Sequence, residues 1–337
     1  MKKDLFYVLA VGLLYSCSSS VREVECLDLA SDRMITQLSD SSFFNSVLCI
    51  LDYDGDIYLS DTKRCQIFRL DTALNLLATI GKEGHGPKEF GYVEQFVVCR
   101  DTIFAGDITK QRILRFSTDG AFCGEEALKK LIPLSQRIGM NPDHIYYLNT
   151  VGDKSGTSVL ADYDRRSEQL NWFGRITDFG YPGKTRLQNR RNVHCWNGHL
   201  VVVPLSIPSI EIYDAKSRAL EQSVDISQIP LVQAMYQKGV NNRQIAESPS
   251  GGYAIFFDSY LCGDALYVLC NVDLEGSELD HSAILEFDLS KGGAEWVRRY
   301  DFPDWVCRFC VTDDYIYGFV PEFSAIKRYP KPKTTDR

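Results

Sequence analysis

One pattern recurs six times along the 337 residues, and this repetition constrains the fold more than any other feature of the sequence. Each copy has a short run of β-branched and aromatic residues, a variable turn, and a second such run that typically ends in an aromatic residue and an acid. The first copy extends from Ile57 to Asp71 and the second from Ile103 to Ser117. The copies begin at Ile57, Ile103, Ile145, Leu200, Leu266 and Ile316, which are 42 to 66 residues apart. We therefore infer six equivalent structural units.

Each unit has room for four β-strands, because an apolar segment precedes the pattern and another follows it. In the second unit these segments are residues 95–99 and 121–124. Four-stranded units at intervals of about 40–50 residues are typical of β-propeller blades, which pack face to face around a central channel. A sandwich or an up-and-down barrel does not explain such a long period. The sequence predicts an all-β, six-bladed β-propeller of four-stranded antiparallel blades over residues 22–330, with a polar tail at 331–337.

The two ends of the repeat region predict how the ring closes. The sixth unit runs out of sequence after its third strand, at Tyr329, whereas the strand-like residues 21–29 have no blade of their own. An open outer edge on the last blade would expose unpaired backbone groups. We expect the N-terminal strand to close the last blade, with residues 24–28 antiparallel to residues 326–329.

The first 20 residues have the features of a secretory signal. Lys2 and Lys3 precede an apolar stretch at residues 5–14, which is shorter than the ~20 residues that a membrane-spanning helix needs. Cys17 resembles the acylated cysteine of the bacterial lipoprotein box; an ordinary signal peptide with a chance cysteine is the alternative. The resemblance implies a signal peptide at 1–16, and a lipidated Cys17 with a tether at 17–21. Because Ser18 and not Asp follows, it also implies the outer membrane of the bacterial cell envelope.

The net charge of the chain narrows the classes of partner. The net charge is −8, from 37 basic and 45 acidic residues. Nucleic acid is not expected as a partner, because a protein that binds it broadly needs a basic field to displace counterions.

Five of the 11 cysteines fall near the ends of predicted first strands, which indicates small buried side chains and not disulfides. These are Cys49, Cys99, Cys195, Cys262 and Cys310. Cys307 and Cys310 have CxxC spacing, but no second pair completes a zinc site.

A glycine-rich segment at residues 80–90 resembles a connection of known propellers. Its sequence, Ile-Gly-Lys-Glu-Gly-His-Gly-Pro-Lys-Glu-Phe, is similar to the interblade connection of NHL-type propellers. It is more similar still to the GxGPxEF connection of the six-bladed, TolB-like propeller lipoproteins of Bacteroidetes. The resemblance implies the six-bladed fold and an envelope location. It also implies two broad uses: docking of proteins or glycans and, in a minority of relatives, metal-assisted hydrolysis at the channel mouth.

Three oxygen-bearing residues take equivalent positions in the first three units. Asp61, Asp107 and Asn149 each lie four residues after the start of their unit. In a propeller, the turns between second and third strands and the connections between blades share one face, which we call the loop face. Oxygens converging there would suit Ca²⁺, whereas the alternative is that these side chains cap tight turns. Units four to six lack an acid or amide at this position, so we favour turn capping. No cofactor is predicted, with Ca²⁺ kept as a candidate.

Other candidate ligand contacts lie in the predicted connections between blades. On the glycine-rich segment they are His85, Lys88 and Glu89, with simple exposure at the rim as the alternative. A basic cluster leads into the fourth unit and consists of Arg186, Arg190, Arg191 and His194. Such a cluster suits carboxylate or phosphate groups, although a solvated loop would also explain it. Residues 225–250 interrupt the strand pattern, and residues 233–244 within them are predicted to form a short helix or a lid over the loop face.

These features favour a binding protein over an enzyme. The sequence has no GxSxG, HExxH or DxDxDG motif, and its five histidines do not assemble a catalytic triad by spacing. We expect a monomeric propeller, attached to the membrane by its lipid anchor only, that binds a protein, peptide or glycan on its loop face. The alternative is a metal-dependent hydrolase or lyase of the propeller-lactonase type, with its metal near Asp61, Asp107 and Asn149.

Overall fold

Six β-sheets make up the part of the chain that the structure describes. A computed structural model describes residues 24–128, 136–148, 156–272 and 281–332, with the backbone alone at 147–148. The predicted sites Cys17 and Asn149 therefore lie outside the described residues. The chain begins with two short strands, β1 (Glu25–Asp28) and β2 (Arg33–Ile35), which precede the first blade.

Each blade is built from consecutive antiparallel strands, with the innermost strand first. Blade 1 contains β3 (Val47–Tyr53), β4 (Asp56–Asp61), β5 (Gln66–Leu70) and β6 (Leu76–Ile80); blade 2 contains β7 (Val93–Cys99), β8 (Thr102–Asp107), β9 (Arg112–Ser117) and β10 (Phe122–Ala127); blade 3 contains β11 (Gly139–Met140), β12 (His144–Leu148), β13 (Ser158–Asp164) and β14 (Gln169–Arg175). Blade 4 contains β15 (Arg191–Trp196), β16 (His199–Pro204), β17 (Ser209–Asp214) and β18 (Leu220–Asp225); blade 5 contains β19 (Phe256–Cys262), β20 (Ala265–Val272), β21 (His281–Asp288) and β22 (Glu295–Asp301); blade 6 contains β23 (Arg308–Val311), β24 (Tyr315–Val320) and β25 (Ala325–Pro330). The predicted six-bladed propeller is confirmed.

Burial falls from the middle of each blade to its rim. In blade 1, β4 buries Ile57, Tyr58 and Leu59 in succession, because the neighbouring blades cover both faces of the sheet. Uninterrupted apolar runs are the expected sequence of a strand that is covered on both faces. By contrast, the rim strand β18 exposes most of its residues. The apolar core therefore lies between the blades, as the repeated runs predicted.

Two N-terminal strands close the ring. Strand β2 pairs antiparallel with β25, with Ile35 opposite Ile326, and completes blade 6. Strand β1 pairs in parallel with β22 and adds a fifth strand to blade 5. The prediction that an N-terminal strand closes the last blade is confirmed, but its placement of residues 24–28 on residues 326–329 was wrong. Those residues lie one blade earlier, because the link between β1 and β2 crosses from blade 5 to blade 6 and is held there by the buried Leu29.

Three helices lie in the connections of the loop face. They are α1 (Pro182–Gln188), α2 (Pro230–Asn241) and α3 (Arg243–Glu247), and a 3₁₀ turn covers Pro321–Phe323. The helix predicted at 233–244 is therefore present as α2, beginning three residues earlier. Leu231 and Val232 of α2 are buried in the core cluster of blades 4 and 5, so α2 is packed onto the propeller. Among the described residues, none of the helices has the length and apolar character that crossing a membrane requires.

Replacing Leu29 with Ala tests whether the N-terminal strands are docked as described. We expect the free energy of unfolding to fall by about 2–3 kcal/mol, because the substitution leaves a cavity under the link between β1 and β2. Met34 of β2 is half exposed, so the matched variant Met34→Ala should lose less than about 0.5 kcal/mol. Denaturant unfolding measures both, and equal small losses would show that the N-terminal strands are not packed on the ring.

Candidate ligand-binding face

The six first strands surround the central channel, and their inner edges have no neighbouring strand to bond. In β3, the carbonyls of Leu48 and Ile50 and the N–H of Asp52 point to this edge, because each of them bonds a side chain of another blade. Buried backbone N–H and C=O groups need partners. Side chains from other blades supply them in three layers along the channel.

The upper layer, nearest the loop face, is formed by Arg308. Its Nε donates to the carbonyl of Leu48 at 2.9 Å, and its Nη1 is 3.4 Å from the carbonyl of Phe257. Gln95 donates to the same Leu48 carbonyl at 3.1 Å. This layer therefore ties blade 6 to blades 1, 2 and 5 at the mouth of the channel.

The middle layer is formed by Arg137 and Asp258, both buried. The guanidinium of Arg137 donates twice to the Asp258 carboxylate, at 2.7 Å each. It also donates to the carbonyl of Ile50 at 2.9 Å and to that of Phe309 at 2.7 Å. Its carbon Cζ lies 5.3 Å from the centre of the Tyr260 ring. One side chain thus crosses the channel from blade 3 and joins blades 1, 5 and 6.

Below Arg137 the channel holds a cavity of about 240 Å³. The lower layer is formed by Tyr260, whose hydroxyl accepts the N–H of Asp52 at 3.1 Å and donates to the Asp52 carboxylate. Burial raises the pKa of this carboxyl. His194 also lines the cavity, with its Nε2 2.8 Å from the Ser259 hydroxyl. Burial, together with the charge of Arg137, lowers the pKa of His194 to about 3. The ring is therefore neutral at neutral pH and is too weak a base to activate Ser259.

Asp61 and Asp107, the described members of the predicted metal set, bind the backbone instead of converging. The Asp61 carboxylate accepts the N–H of Asn45 at 2.7 Å and that of Ser46 at 3.3 Å. The Asp107 carboxylate accepts the N–H of Gly91 at 3.1 Å. Each side chain thus ties the end of a second strand to the segment that enters the first strand of the same blade. The sequence favoured capping of the tight turn that follows each acid; Asp61 does accept the N–H of Arg64 in its own turn at 3.3 Å, but the bonds to the segment before the first strand were not predicted.

In the part of the chain that the structure describes, no three His, Cys, Asp or Glu side chains are grouped as metal ligands. Asp107 also carries a 3.3 Å ion pair with Arg112. Its other oxygen accepts the hydroxyl of Thr109 at 2.8 Å. The oxygens of Asp107 are thus already occupied by protein donors.

The glycine-rich connection is held in one shape by its own hydrogen bonds. Glu89 accepts the N–H of Gly86 at 2.7 Å and pairs with Lys82 at 3.0 Å, and these two contacts lower the pKa of its carboxyl to about 2. Gly84 has a φ of +152°, and a side chain there would overlap the Glu89 carboxylate. Arg112 donates to the carbonyls of Gly86 and Glu89 at 3.1 and 2.6 Å. Glu89 therefore has a structural role.

The other two candidates on this connection, His85 and Lys88, are exposed on the loop face. They remain available to a ligand, in contrast to Glu89.

The predicted basic cluster is divided among four environments. Arg186 is exposed on the last turn of α1, and Arg190 is half-buried at the channel mouth. Arg191 is buried, donates to the Asn189 carbonyl and pairs with Glu211 at 3.4 Å. His194 lies in the channel, as described above. The expectation of one shared binding surface was wrong, because successive residues of β15 face opposite sides of the strand.

Arg137, Asp258 and Arg308, which form the channel layers, were not predicted from the sequence. One signal was present: Asp258 interrupts the apolar run from Ile255 to Tyr260, where a buried carboxylate demands a partner. Of the five cysteines predicted to be buried, Cys49 and Cys310 are buried, whereas Cys99, Cys195 and Cys262 are only partly buried; all the described cysteines are free. Burial raises the pKa of Cys307 to about 11.

Large exposed apolar side chains are concentrated on the loop face. Phe43 enters blade 1, Phe323 lies in the 3₁₀ turn of blade 6, Tyr181 precedes α1 and Val240 belongs to α2. The other large exposed apolar side chains of the described residues are Met34, Leu77 and Leu220, all on rim strands. Phe43 and Phe323 belong to adjacent blades, and Tyr181 and Val240 lie across the channel from them. Apolar groups therefore flank the mouth on two sides.

The protein is thus a six-bladed propeller in which Arg137 crosses the central channel, and its loop face carries exposed polar and apolar side chains. The chain belongs to the family described as 6-bladed beta-propeller (DUF5128), whose profile matches residues 34–231. No protein among the curated sequences matches it.

Solved structures show the same fold. A protein of Bacteroides fragilis NCTC 9343, predicted to be exported, is 14% identical, with 93% of this chain and 100% of that chain covered and a TM-score of 0.60. A member of the DUF4221 family from Bacteroides vulgatus is 13% identical, with coverage of 89% and 97% and a TM-score of 0.56. A streptogramin B lyase is 11% identical, with coverage of 88% and 97% and a TM-score of 0.50. At these identities the likeness concerns the fold alone.

Replacing Asp258 with Asn tests the middle channel layer. The variant leaves the buried Arg137 charge uncompensated, so we expect a loss of about 3–5 kcal/mol in the free energy of unfolding. Asp313 is exposed in a turn of blade 6, and Asp313→Asn serves as the control, with little expected change. The double variant Arg137→Met/Asp258→Leu should lose less than Asp258→Asn. Equal stability of Asp258→Asn and the control would contradict the buried pair.

Proposed function

We propose that this protein is an exported binding module that holds a protein, peptide or glycan on its loop face. The observation that carries the proposal is the placement of Phe43, Phe323, Tyr181 and Val240 on that face, on both sides of the channel mouth. Exposed apolar groups beside polar ones are typical of interaction sites. Aromatic rings in particular offer rigid contact area for a peptide or a sugar at a low cost in conformational entropy.

The rest of the loop face favours a preformed surface. The glycine-rich connection is fixed by Arg112, and α2 is anchored through Leu231 and Val232. Lys184 of α1 donates to the carbonyl of Ala246 at 3.2 Å, which ties α1 to α3. A preordered surface loses less entropy when a ligand binds. The hypothesis of a mobile lid at residues 233–244 therefore has less support than that of a fixed recognition element.

The metal-dependent hydrolase or lyase has weaker support. Two of its three expected ligands, Asp61 and Asp107, use their carboxylates on backbone N–H groups. Arg137 crosses the channel below the mouth. The likeness to a streptogramin B lyase concerns the fold and brings no residue to a common site.

An envelope location also belongs to this proposal. The similar Bacteroides fragilis protein is described as exported, and the N-terminal signal and Cys17 suit a lipid-anchored protein of the outer membrane. Attached acyl chains would hold the protein at the membrane through their buried CH₂ groups, each contributing about 0.8 kcal/mol. The propeller itself would remain in water, with its loop face free to bind.

Substitutions of Phe43 and Phe323 test the binding face. We expect Phe43→Ser/Phe323→Ser to weaken binding at least tenfold for ligands that the chain from Ser18 onward selects on glycan and peptide arrays. Leu77 is about as exposed as these residues but lies on the rim strand β6, so Leu77→Ser is the control and should bind normally. If no array ligand depends on the two phenylalanines, the proposed face is wrong. The unfolding midpoints of all variants should agree.

Replacing Cys17 with Ser tests the lipid anchor. In a diderm bacterium grown with a labelled fatty acid, the natural chain should take up label and partition into detergent, whereas Cys17→Ser should do neither. Cys26→Ser provides the control, because Cys26 is the next exposed cysteine and lies outside the signal region. Label that persists in Cys17→Ser, or its absence from the natural chain, would overturn the anchor.

A further inference from the structure

Two arginines lie at the loop-face end of the channel, one before the first strand of blade 4 and one in the first strand of blade 6. Arg190 precedes β15 and Arg308 begins β23. Backbone hydrogen bonds connect their surroundings. The carbonyl of Arg190 accepts the N–H of Leu205 at 2.9 Å, and the carbonyl of Leu205 accepts the N–H of Phe256 at 3.1 Å. The next residue, Phe257, offers its carbonyl to Nη1 of Arg308 at 3.4 Å. Both arginines therefore belong to the rim of the channel mouth.

Neither guanidinium is neutralised by a carboxylate of the described chain. Arg190 donates through Nε to the carbonyl of Leu187 at 3.1 Å. Arg308 donates to the carbonyls of Leu48 and Cys307 at 2.9 and 2.6 Å. Both side chains are half-buried. Burial, with a further contribution from the charge of Arg308, lowers the pKa of Arg190, which supports their proximity.

Glu94 is the carboxyl that lies near Arg308, and it is held by another group. It accepts the hydroxyl of Tyr92 at 3.1 Å, and burial raises the pKa of its carboxyl despite the charge of Arg308. The residue occupies the start of β7, at the same end of the channel. Glu94 therefore lies beside the arginines without forming an ion pair with either of them among the described contacts.

We propose that the channel mouth binds an anionic group, a carboxylate or a phosphate, through Arg190 and Arg308. Partly buried cations without a counterion are costly, and an oxyanion removes that cost. Guanidinium groups suit it because their planar N–H donors match the oxygens of a carboxylate or phosphate. The Nη atoms of Arg190 make no contact among the described hydrogen bonds and are the donors best placed for this role.

The position of the anion site agrees with the proposed binding face. The arginines lie at the mouth, and Phe43 and Phe323 lie on one side of it, with Tyr181 and Val240 on the other. A ligand with an acidic group and an apolar or sugar-ring surface would contact both. The inference deepens the proposed function by naming this chemistry, and therefore rests on it for the identity of the natural ligand.

Inorganic phosphate probes the site without knowledge of that ligand. Calorimetric titration of the chain from Ser18 onward, at constant ionic strength set by chloride, should show saturable phosphate binding. Arg190→Gln should weaken it at least tenfold. Arg186→Gln, four residues earlier on the same connection but exposed, should leave it unchanged. Because the side chain of Arg190 makes a single hydrogen bond to the described residues, its variant should retain the unfolding midpoint of the natural chain.

A second variant acts in the opposite direction. Glu94→Gln removes a like charge beside the bound anion, so phosphate should bind severalfold more tightly. Glucuronate and glucose, titrated in parallel, distinguish a carboxylate from a neutral sugar as the bound group. The anion site would be overturned if titration with phosphate released no more heat than titration with chloride. It would also be overturned if Arg190→Gln bound phosphate as tightly as the natural chain does. Phosphate binding that depends on Arg190, without any array ligand that depends on Phe43 and Phe323, would instead overturn the proposed function alone.

Discussion

The unpaired inner edges of the first strands are the constraint on which the rest of this propeller depends. A ring of blades leaves six strand edges directed into a narrow channel, where backbone groups must find partners. Arg137 meets this need for blades 1 and 6 and is itself neutralised by Asp258 of blade 5. The buried ion pair is not expected to stabilise the protein more than apolar packing would. Its value is geometric, because a single guanidinium fixes the relative positions of three blades.

The outermost strand of each blade also has unpaired backbone groups along its outer edge, and among the described strands only blades 5 and 6 gain an additional strand there. Strands β6, β10, β14 and β18 end their sheets, whereas blades 5 and 6 are covered by β1 and β2. The N-terminal segment thus crosses between the last two blades, and Arg328 pairs with Asp32 at 2.8 Å where it does so. Closure from one end of the chain to the other therefore couples the first residues of the fold to its last strand.

The fold could be predicted from the sequence because the repeated apolar runs are a local signal. Ile57 and Ile103 begin equivalent strands, and their spacing alone predicts blades. The exact closure was not predictable, since residues 25–28 and 33–35 are both short and strand-like, and only packing of Leu29 decides which blade each one joins. Arg137 was also missed, because it precedes a two-residue strand and its partners are 87 to 172 residues away in sequence. The bond from the N–H of Arg64 to Asp61 was predictable, since it is local to the turn, whereas the bonds of Asp61 to Asn45 and of Asp107 to Gly91 join residues 16 positions apart.

Because Arg137 crosses the middle of the channel, its position determines which side chains a ligand can reach from the loop face. With Arg137 in the middle layer, a ligand that enters from the loop face meets Arg308 and Arg190 before any deeper group. The lower cavity offers the neutral His194 and the carboxyl of Asp52, whose pKa burial raises. His194 is neutral and so adds no positive charge with which to attract an anion. The upper rim has the opposite character, because its arginines are held by backbone carbonyls. Carbonyl oxygens orient a guanidinium without cancelling its charge, and this distinguishes the channel mouth as the place where an anionic ligand gains most.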